Sequence, residues 1–250
     1  MQILEYGNSK NPKIILIHGL ECPYQIWTDY INYYQDKFHI IVPILPGHNP
    51  DQKEEFISFE NITNQLEEYY IPKYGKEVYA IYGLSMGGII ASIIWQNKNI
   101  HIQNLILESA PLLPTSPILT TFITKQYVLV TNLIKKRNSL IIKIAQKTII
   151  PKEKLKYFLK LIDNISITTL TKYSKTTCKY QLAPNINTLK TKLYYIHGTK
   201  ITELLSKSTA KYIKKNYPNS QIITFKGKNH CENTLLHPTT MIKELNKILK

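Results

Sequence analysis

The sequence predicts an α/β fold: a single domain, a mostly parallel sheet of about seven strands with helices on both faces, and an inserted helical cap. Three observations predict it. Short apolar runs alternate with helical patterns as far as Pro111, the pattern of right-handed crossovers between parallel strands. The alternation stops over Leu112–Pro184, which is lysine-rich and helical in its apolar spacing, and resumes at Lys192. One apolar run, Val78–Tyr82, passes directly through Gly83-Leu84-Ser85-Met86-Gly87 into the helical stretch Ile89–Trp95.

Each element has its own signal. Gln2–Tyr6 reads as a strand and Asn8-Ser9-Lys10-Asn11-Pro12 as a turn. Lys13–Ile17 is apolar on both faces, as a central strand covered by helices should be, and ends in His18-Gly19-Leu20. Tyr24–Tyr34 reads as a helix with Ile26, Trp27, Tyr30 and Ile31 on one face, and His39–Ile44 as a strand. Ser58–Tyr70 carries Ile62, Leu66 and Tyr69 at helical spacing. After Val78–Tyr82 comes the strand Ile102–Leu107, closed by Glu108-Ser109-Ala110-Pro111. Helical spacing then marks Phe122–Leu133, Leu140–Thr148 and Leu155–Ile162. Lys192–Ile196 and Gln221–Phe225 complete the sheet, with helices over Glu203–Asn216 and Pro238–Leu249. The expected domain spans 1–250, with a core of 1–111 and 186–250 and a cap of 112–185.

Composition narrows the function classes. A length of 250 residues fits one domain with a sizeable core. The apolar fraction of 43% and mean hydropathy of −0.20 are those of a globular protein. No stretch reaches the roughly 18–20 apolar residues of a membrane span, so no integral membrane segment is expected; Lys143 and Lys147 break the most apolar part of the cap. Met1–Tyr6 has no basic region followed by an apolar one, so no signal peptide is expected. Cys22, Cys178 and Cys231 form no disulfide framework; free thiols in a cytoplasmic protein are the simplest account. The net charge of +15 is almost all lysine, scattered apart from Lys135-Lys136-Arg137, which reads as a solvated surface with no nucleic-acid partner.

The chemistry concentrates at Ser85. Gly83 and Gly87 lack a Cβ, so strand and helix can crowd together around a strained Ser85, whose Oγ then stands at a helix N-terminus that favours negative charge. A glycine-rich turn with an incidental serine is the bland reading. Against it, three of only nine glycines, Gly83, Gly87 and Gly88, fall here after a clean strand.

The assembled pieces resemble the α/β-hydrolase superfamily, over nearly the whole chain. His18-Gly19-Leu20 looks like the turn that opens its oxyanion loop, and Pro43–His48 like its P-D-x-P-G-H-G loop, with Ile44 for Asp and Asn49 for the last Gly. Gly83–Gly88 looks like the nucleophile elbow, and Gly227-Lys228-Asn229-His230 follows the last strand as the family's catalytic histidine does. The resemblance implies a lipase-like serine esterase with a catalytic triad. Ser85 would attack an ester or thioester, His230 would shuttle the proton, and the backbone N–H groups of Leu20 and Met86 would form the oxyanion hole. It makes His18 a support for its loop. His48, His101, His197 and His237 read as surface or turn residues, and Cys22 and Cys231 as half-buried fillers.

The acid stays open between two residues, Glu203 and Glu108, and a third possibility that no acid orients His230. Where the family places it, near position 201, stands isoleucine. Glu203 lies two residues on, and could equally be a first-turn helix acid behind an N-cap at Thr202. Glu108, at the end of the strand beside the nucleophile strand, is the alternative. The triad is therefore expected as Ser85, His230 and Glu203, acting on a small-molecule acyl substrate, with no cofactor and no metal, because no ligand cluster or nucleotide loop is present. The rival readings are an acyltransferase, a lyase resembling the menaquinone-pathway enzyme, and a non-catalytic binding protein, the last motivated by Ile201.

Overall fold

The computed structural model describes residues 1–186 and 190–250; positions 187–189, early in the second expected core segment, lie outside the described residues. The chain runs through β1 (Gln2–Tyr6), β2 (Lys13–Ile17), α1 (Thr28–Tyr34), β3 (His39–Ile44), α2 (Phe59–Tyr74), β4 (Glu77–Leu84), α3 (Met86–Asn97) and β5 (His101–Glu108). Four helices follow, α4 (Pro117–Lys135), α5 (Ser139–Thr148), α6 (Leu155–Asn164) and α7 (Ile167–Lys179). The sheet resumes with β6 (Lys192–Gly198), α8 (Leu204–Asn216), β7 (Gln221–Phe225), α9 (Glu232–Leu236) and α10 (Pro238–Ile248).

Seven strands form one sheet in the order β1-β3-β2-β4-β5-β6-β7. Only β1 is antiparallel, pairing Gln2 with Ile44 at the edge; the other pairings are parallel. The apolar run of β2 divides between two cores. Ile15 and Ile17 pack with α2, α3 and α8 on one face, while Ile14 and Leu16 pack with α1 and α10 on the other. α3 is apolar almost all round and correspondingly buried from Met86 to Trp95. β2 pairs with both β3 and β4, so the chain leaves β2 outward and returns past it. That reversal opens a crevice at the C-terminal ends of β2 and β4, where parallel sheets take their ligands.

The helices between β5 and β6 leave and rejoin the core at one place. Leu182 N donates to Leu112 O at 3.0 Å and Thr115 N to Cys178 O at 2.9 Å. α7 escaped the sequence reading because its threonines are weak helix formers. Ser166 caps it by accepting from Thr169 N, and Leu170, Tyr173 and Cys178 anchor its buried face. The segment read as one helix from Tyr24 opens as a 3-10 turn, Tyr24–Trp27, before α1. No helix among the described residues is long and apolar enough to cross a membrane.

Because α3 carries the crevice, its packing is testable. Ile90 is fully buried in the core that α3 shares with the sheet. Ile90→Ala should cost about 2–5 kcal/mol of unfolding free energy, the range for truncating a buried aliphatic side chain. Urea denaturation measures it, and a loss below ~1 kcal/mol would contradict the packing described.

Candidate active site

β4 delivers Ser85 into a left-handed conformation, φ 52° and ψ −115°, of a kind that costs of order 1–3 kcal/mol and needs support. The support is close packing. A Cβ on Gly87 would stand 2.3 Å from Ile17 O and 2.7 Å from His18 O; one on Gly83 would stand 2.5 Å from Gly87 O. Only glycine lets the first turn of α3 press against β2 and β4 in this way. Ser85 N donates to Glu108 O at 2.7 Å, which fixes the turn to β5. The Ser85 hydroxyl makes no cap bond to α3, and instead stands 2.9 Å from His230 Nε2.

His230 arrives from the loop after β7. Its backbone N donates to Thr202 Oγ1 at 3.1 Å. With Nε2 accepting from Ser85, Nδ1 carries the proton, and it faces Glu203 Oε2 at 3.7 Å, an ion-pair separation longer than a hydrogen bond. Glu203 closes a 3-10 turn, Ile201–Glu203, that turns Ile201 out to solvent, 78% exposed, and Glu203 fully inward. The two-residue offset between the expected acid position and Glu203 is absorbed by this turn. Thr202 is no helix cap, since its hydroxyl is occupied by the His230 loop. Glu203 Oε1 accepts from Ser109 Oγ at 2.6 Å. Burial raises the pKa of this carboxyl, but the His230 contact and charge and the Ser109 and Ser206 hydroxyls outweigh it and hold the pKa down to about 2.

Glu108 lies beneath the same site and faces elsewhere. Its Oε2 accepts from Tyr82 Oη and Thr234 Oγ1. Burial pushes this carboxyl up to about 7 despite those two bonds, and the Glu203 charge adds to the rise. The two candidate acids are thus driven apart by their surroundings, one held as a carboxylate beside the imidazole and the other held towards its neutral form.

On the opposite side, Leu20 and Met86 both line the cavity at Ser85. A Cβ on Gly19 would be 3.4 Å from Ser85 Cβ, so the Leu20 loop lies directly against the turn. Two buried histidines hold that loop. His18 Nε2 accepts from Leu45 N at 3.2 Å while Nδ1 donates to Gly19 O at 2.9 Å. His48 Nε2 accepts from Glu21 N at 3.0 Å while Nδ1 donates to Pro46 O at 3.1 Å. The rings are 4.7 Å apart. Burial pushes His18 down to about 4 and His48 well below the ordinary range, so both are neutral. His48 is therefore no surface residue: it is turned inward to carry the loop. His197 is likewise buried, against Gly198 O. The Glu21 carboxyl accepts from Thr131 of α4, and burial raises it to about 7.

The strain is collective. Glu21, Ser85, Ser109 and Cys231 follow the C-terminal ends of different strands, and all have positive φ, at 57°, 52°, 51° and 54°. Ser109 and Thr202, which bond the Glu203 carboxylate and the His230 backbone, are not among the site residues the sequence singles out; position after a strand end is the one available signal. Two cavities of about 190 and 480 Å³ meet at Ser85 and His230. Cys22, Cys178 and Cys231 are free and buried. Among the described residues no group of three His, Cys, Asp or Glu side chains is placed to hold a metal ion.

Comparison with known proteins agrees with this architecture. A family described as alpha/beta hydrolase fold matches residues 12–129. The chain is similar to a pimeloyl-[acyl-carrier protein] methyl ester esterase of Legionella pneumophila, 31% identical over 100 residues, covering 39% of this chain and 38% of that protein. It spans only 34–39% of the length of the curated relatives it matches. Among solved structures, an alpha/beta hydrolase family protein from Desulfitobacterium hafniense superposes with a TM-score of 0.80 at 18% identity over 100% of both chains. MenH from S. aureus superposes with a TM-score of 0.74 at 22% identity, over 99% of this chain and 98% of that one.

Glu108 gives a pH test of these surroundings. Its folded value of about 7 lies above the 4.5 of an exposed glutamate, so the folded state holds the proton more tightly and stability falls as pH rises from 4.5 to 7. Glu108→Gln keeps an oxygen for both hydroxyl donors and removes that slope. Between pH 4.5 and 7 the parent should lose up to about 3 kcal/mol relative to the variant. Urea titrations at stepped pH read the difference; parallel profiles would refute the buried, proton-retaining Glu108.

Proposed function

We propose that this chain, whose residues 12–129 match a family described as alpha/beta hydrolase fold, is a serine hydrolase of that superfamily that cleaves a carboxylic ester or thioester through an acyl-enzyme. The observation that carries this reading is the 2.9 Å contact between the Ser85 hydroxyl and His230 Nε2 at a strained strand–helix turn, with the Glu203 carboxylate behind the ring. His230 takes the Ser85 proton as Oγ attacks, then gives it to the departing oxygen or sulfur. Glu203 keeps the Nδ1 proton in place and stabilises the imidazolium; its 3.7 Å separation is the kind that tightens once substrate is bound. The N–H groups of Met86 and Leu20 receive the oxyanion, and the helical segment 112–185 serves as the cap.

Ester chemistry is also what the Legionella relative's name records. Isoleucine at 201 motivates the rival reading of a non-catalytic scaffold, and the inward Glu203 supports the catalytic one. The free buried thiols suit the cytoplasmic location that forms part of the proposal.

Ser85→Ala should fold normally and lose esterase turnover and fluorophosphonate labelling together. A variant that hydrolyses esters at the parent's rate would remove Ser85 from the mechanism. Glu203→Gln should lower kcat by up to about 10⁴, the cost of removing the orienting acid in comparable triads. Glu108→Gln, whose carboxyl is bonded to Tyr82 and Thr234, should cost less than about tenfold. Steady-state kinetics on the two variants distinguishes them, and the reverse ranking would make Glu108 the acid.

A further inference from the structure

We propose that the outer faces of α4 and α5 dock this protein on the surface of an anionic lipid bilayer, with their apolar side chains among the headgroups and their lysines against the lipid phosphates. This surface lies outside the catalytic groups, and its docking does not depend on Ser85 being a nucleophile.

The fold gathers a charge that looks scattered along the chain. Residues 112–185 hold thirteen lysine or arginine residues against two acids, Glu153 and Asp163, and so carry +11 of the net +15. α4 and α5 contain no acid at all. Asp163 is taken by the Arg137 guanidinium, at 2.6 and 2.8 Å. Lys125, Lys136, Lys143 and Lys147 are exposed, and none of them forms an ion pair among the described residues.

Exposed apolar side chains are gathered on the same faces. Among the described residues twelve large ones are exposed; seven lie in this segment, and Ile201, Leu204 and Leu205 lie beside Thr202 at the entrance. Helical spacing aligns them. On α4, Ile118, Phe122, Lys125, Leu129 and Lys136 follow one another along one side, while Tyr127, Val130 and Ile134 on the other wall the larger cavity. On α5, Leu140, Lys143, Ile144 and Lys147 repeat the pattern, with Ala145 buried on the inner side. Ile118 is 85% exposed, Leu140 64% and Phe122 59%. Single exposed apolar residues are ordinary, but two such stripes on neighbouring helices mark an interaction surface.

The residue types select a bilayer over a protein. Protein interfaces are rich in aromatic residues and arginine and poor in lysine. On these stripes Phe122 is the one aromatic residue and every cation is lysine. Lysine suits a lipid surface, because its stem lies along apolar groups while its ammonium reaches the phosphates. Shallow apolar insertion and basic charge reinforce each other at an anionic interface, where either alone binds weakly. The docking face is also where the cavities open. Ile144 and Ile149 are exposed and line the larger one, and Leu205 is exposed and lines the smaller.

Sedimentation with vesicles reads the docking directly. The protein should partition onto vesicles of equal parts phosphatidylglycerol and phosphatidylcholine at least about tenfold more strongly than onto pure phosphatidylcholine. Phe122→Ser with Leu129→Ser should lower that partition at least about tenfold, and so should Lys143→Glu with Lys147→Glu. Circular dichroism checks that the variants fold; if the first pair does not, Leu140→Ser on α5 makes the same measurement. Equal partition onto both kinds of vesicle, or onto neither, would overturn the docking surface. Loss with the lysine pair alone, while the apolar pair partitions as the parent does, would reduce it to charge adsorption and overturn it too. Binding to polyglutamate and not to vesicles would make the face a site for an acidic protein and overturn the bilayer.

Discussion

The site depends on how closely α3 may approach the end of β2. At Gly87 the helix backbone lies against the carbonyls of Ile17 and His18, with room for no side-chain atom. That approach brings together two things that are distant in sequence: the loop carrying Leu20 and the turn carrying Ser85. It also aims the N-terminus of a helix buried from Met86 to Trp95 at the space between them, the end of a helix dipole that favours negative charge. A hydrophobic element thus sets the electrostatics of the crevice. The buried isoleucines of α3 hold the helix down, and its N-terminal end is thereby fixed at the crevice.

Behind the serine, the polar groups form layers. His230 rests on Thr202, Glu203 on Ser109, and Ser109 N on Ile196 O of β6 at 2.8 Å. Below them, Tyr82, Thr234 and Glu108 close a second, dry layer in the centre of the sheet. Buried groups of this kind are tolerated when each finds a partner. Most do here. The exception that faces the imidazole is Glu203 Oε2, which makes no hydrogen bond. Its free lone pairs face Nδ1 at 3.7 Å, so the least satisfied oxygen is the one placed to accept a hydrogen bond from the ring.

Much of the sheet was legible because its strands stand out as short apolar-rich runs between turn residues: β1, β2, β3 and β7 fall where the sequence puts them, although only β2 and β3 are buried on both faces. Ser85 and His230 were legible through their position after strands. Other features were written in three dimensions. Glu203 looks like an ordinary helix-start acid until the 3-10 turn is seen to rotate it inward. His48 sits in a proline- and glycine-rich turn, where exposure is the natural expectation, and becomes buried because its ring substitutes for a missing backbone partner of Glu21 N. Positive φ at Ser109 and Cys231 has no composition signal, since neither residue type favours it.

The pair of histidines beneath the Leu20 loop gives the molecule a vulnerability of its own. Each ring holds a backbone N–H through a lone pair that a proton would destroy, and the two stand 4.7 Å apart. Their folded affinities for protons are lowered, so the unfolded chain binds more protons and stability falls as pH drops below about 6.5, for His18 until about 4. Acid would therefore attack the loop from behind: two like charges created in a dry space, with two amides released at once. The pair at the back holds its loop only while both rings stay uncharged, so acid unfastens the frame of the site from within the fold.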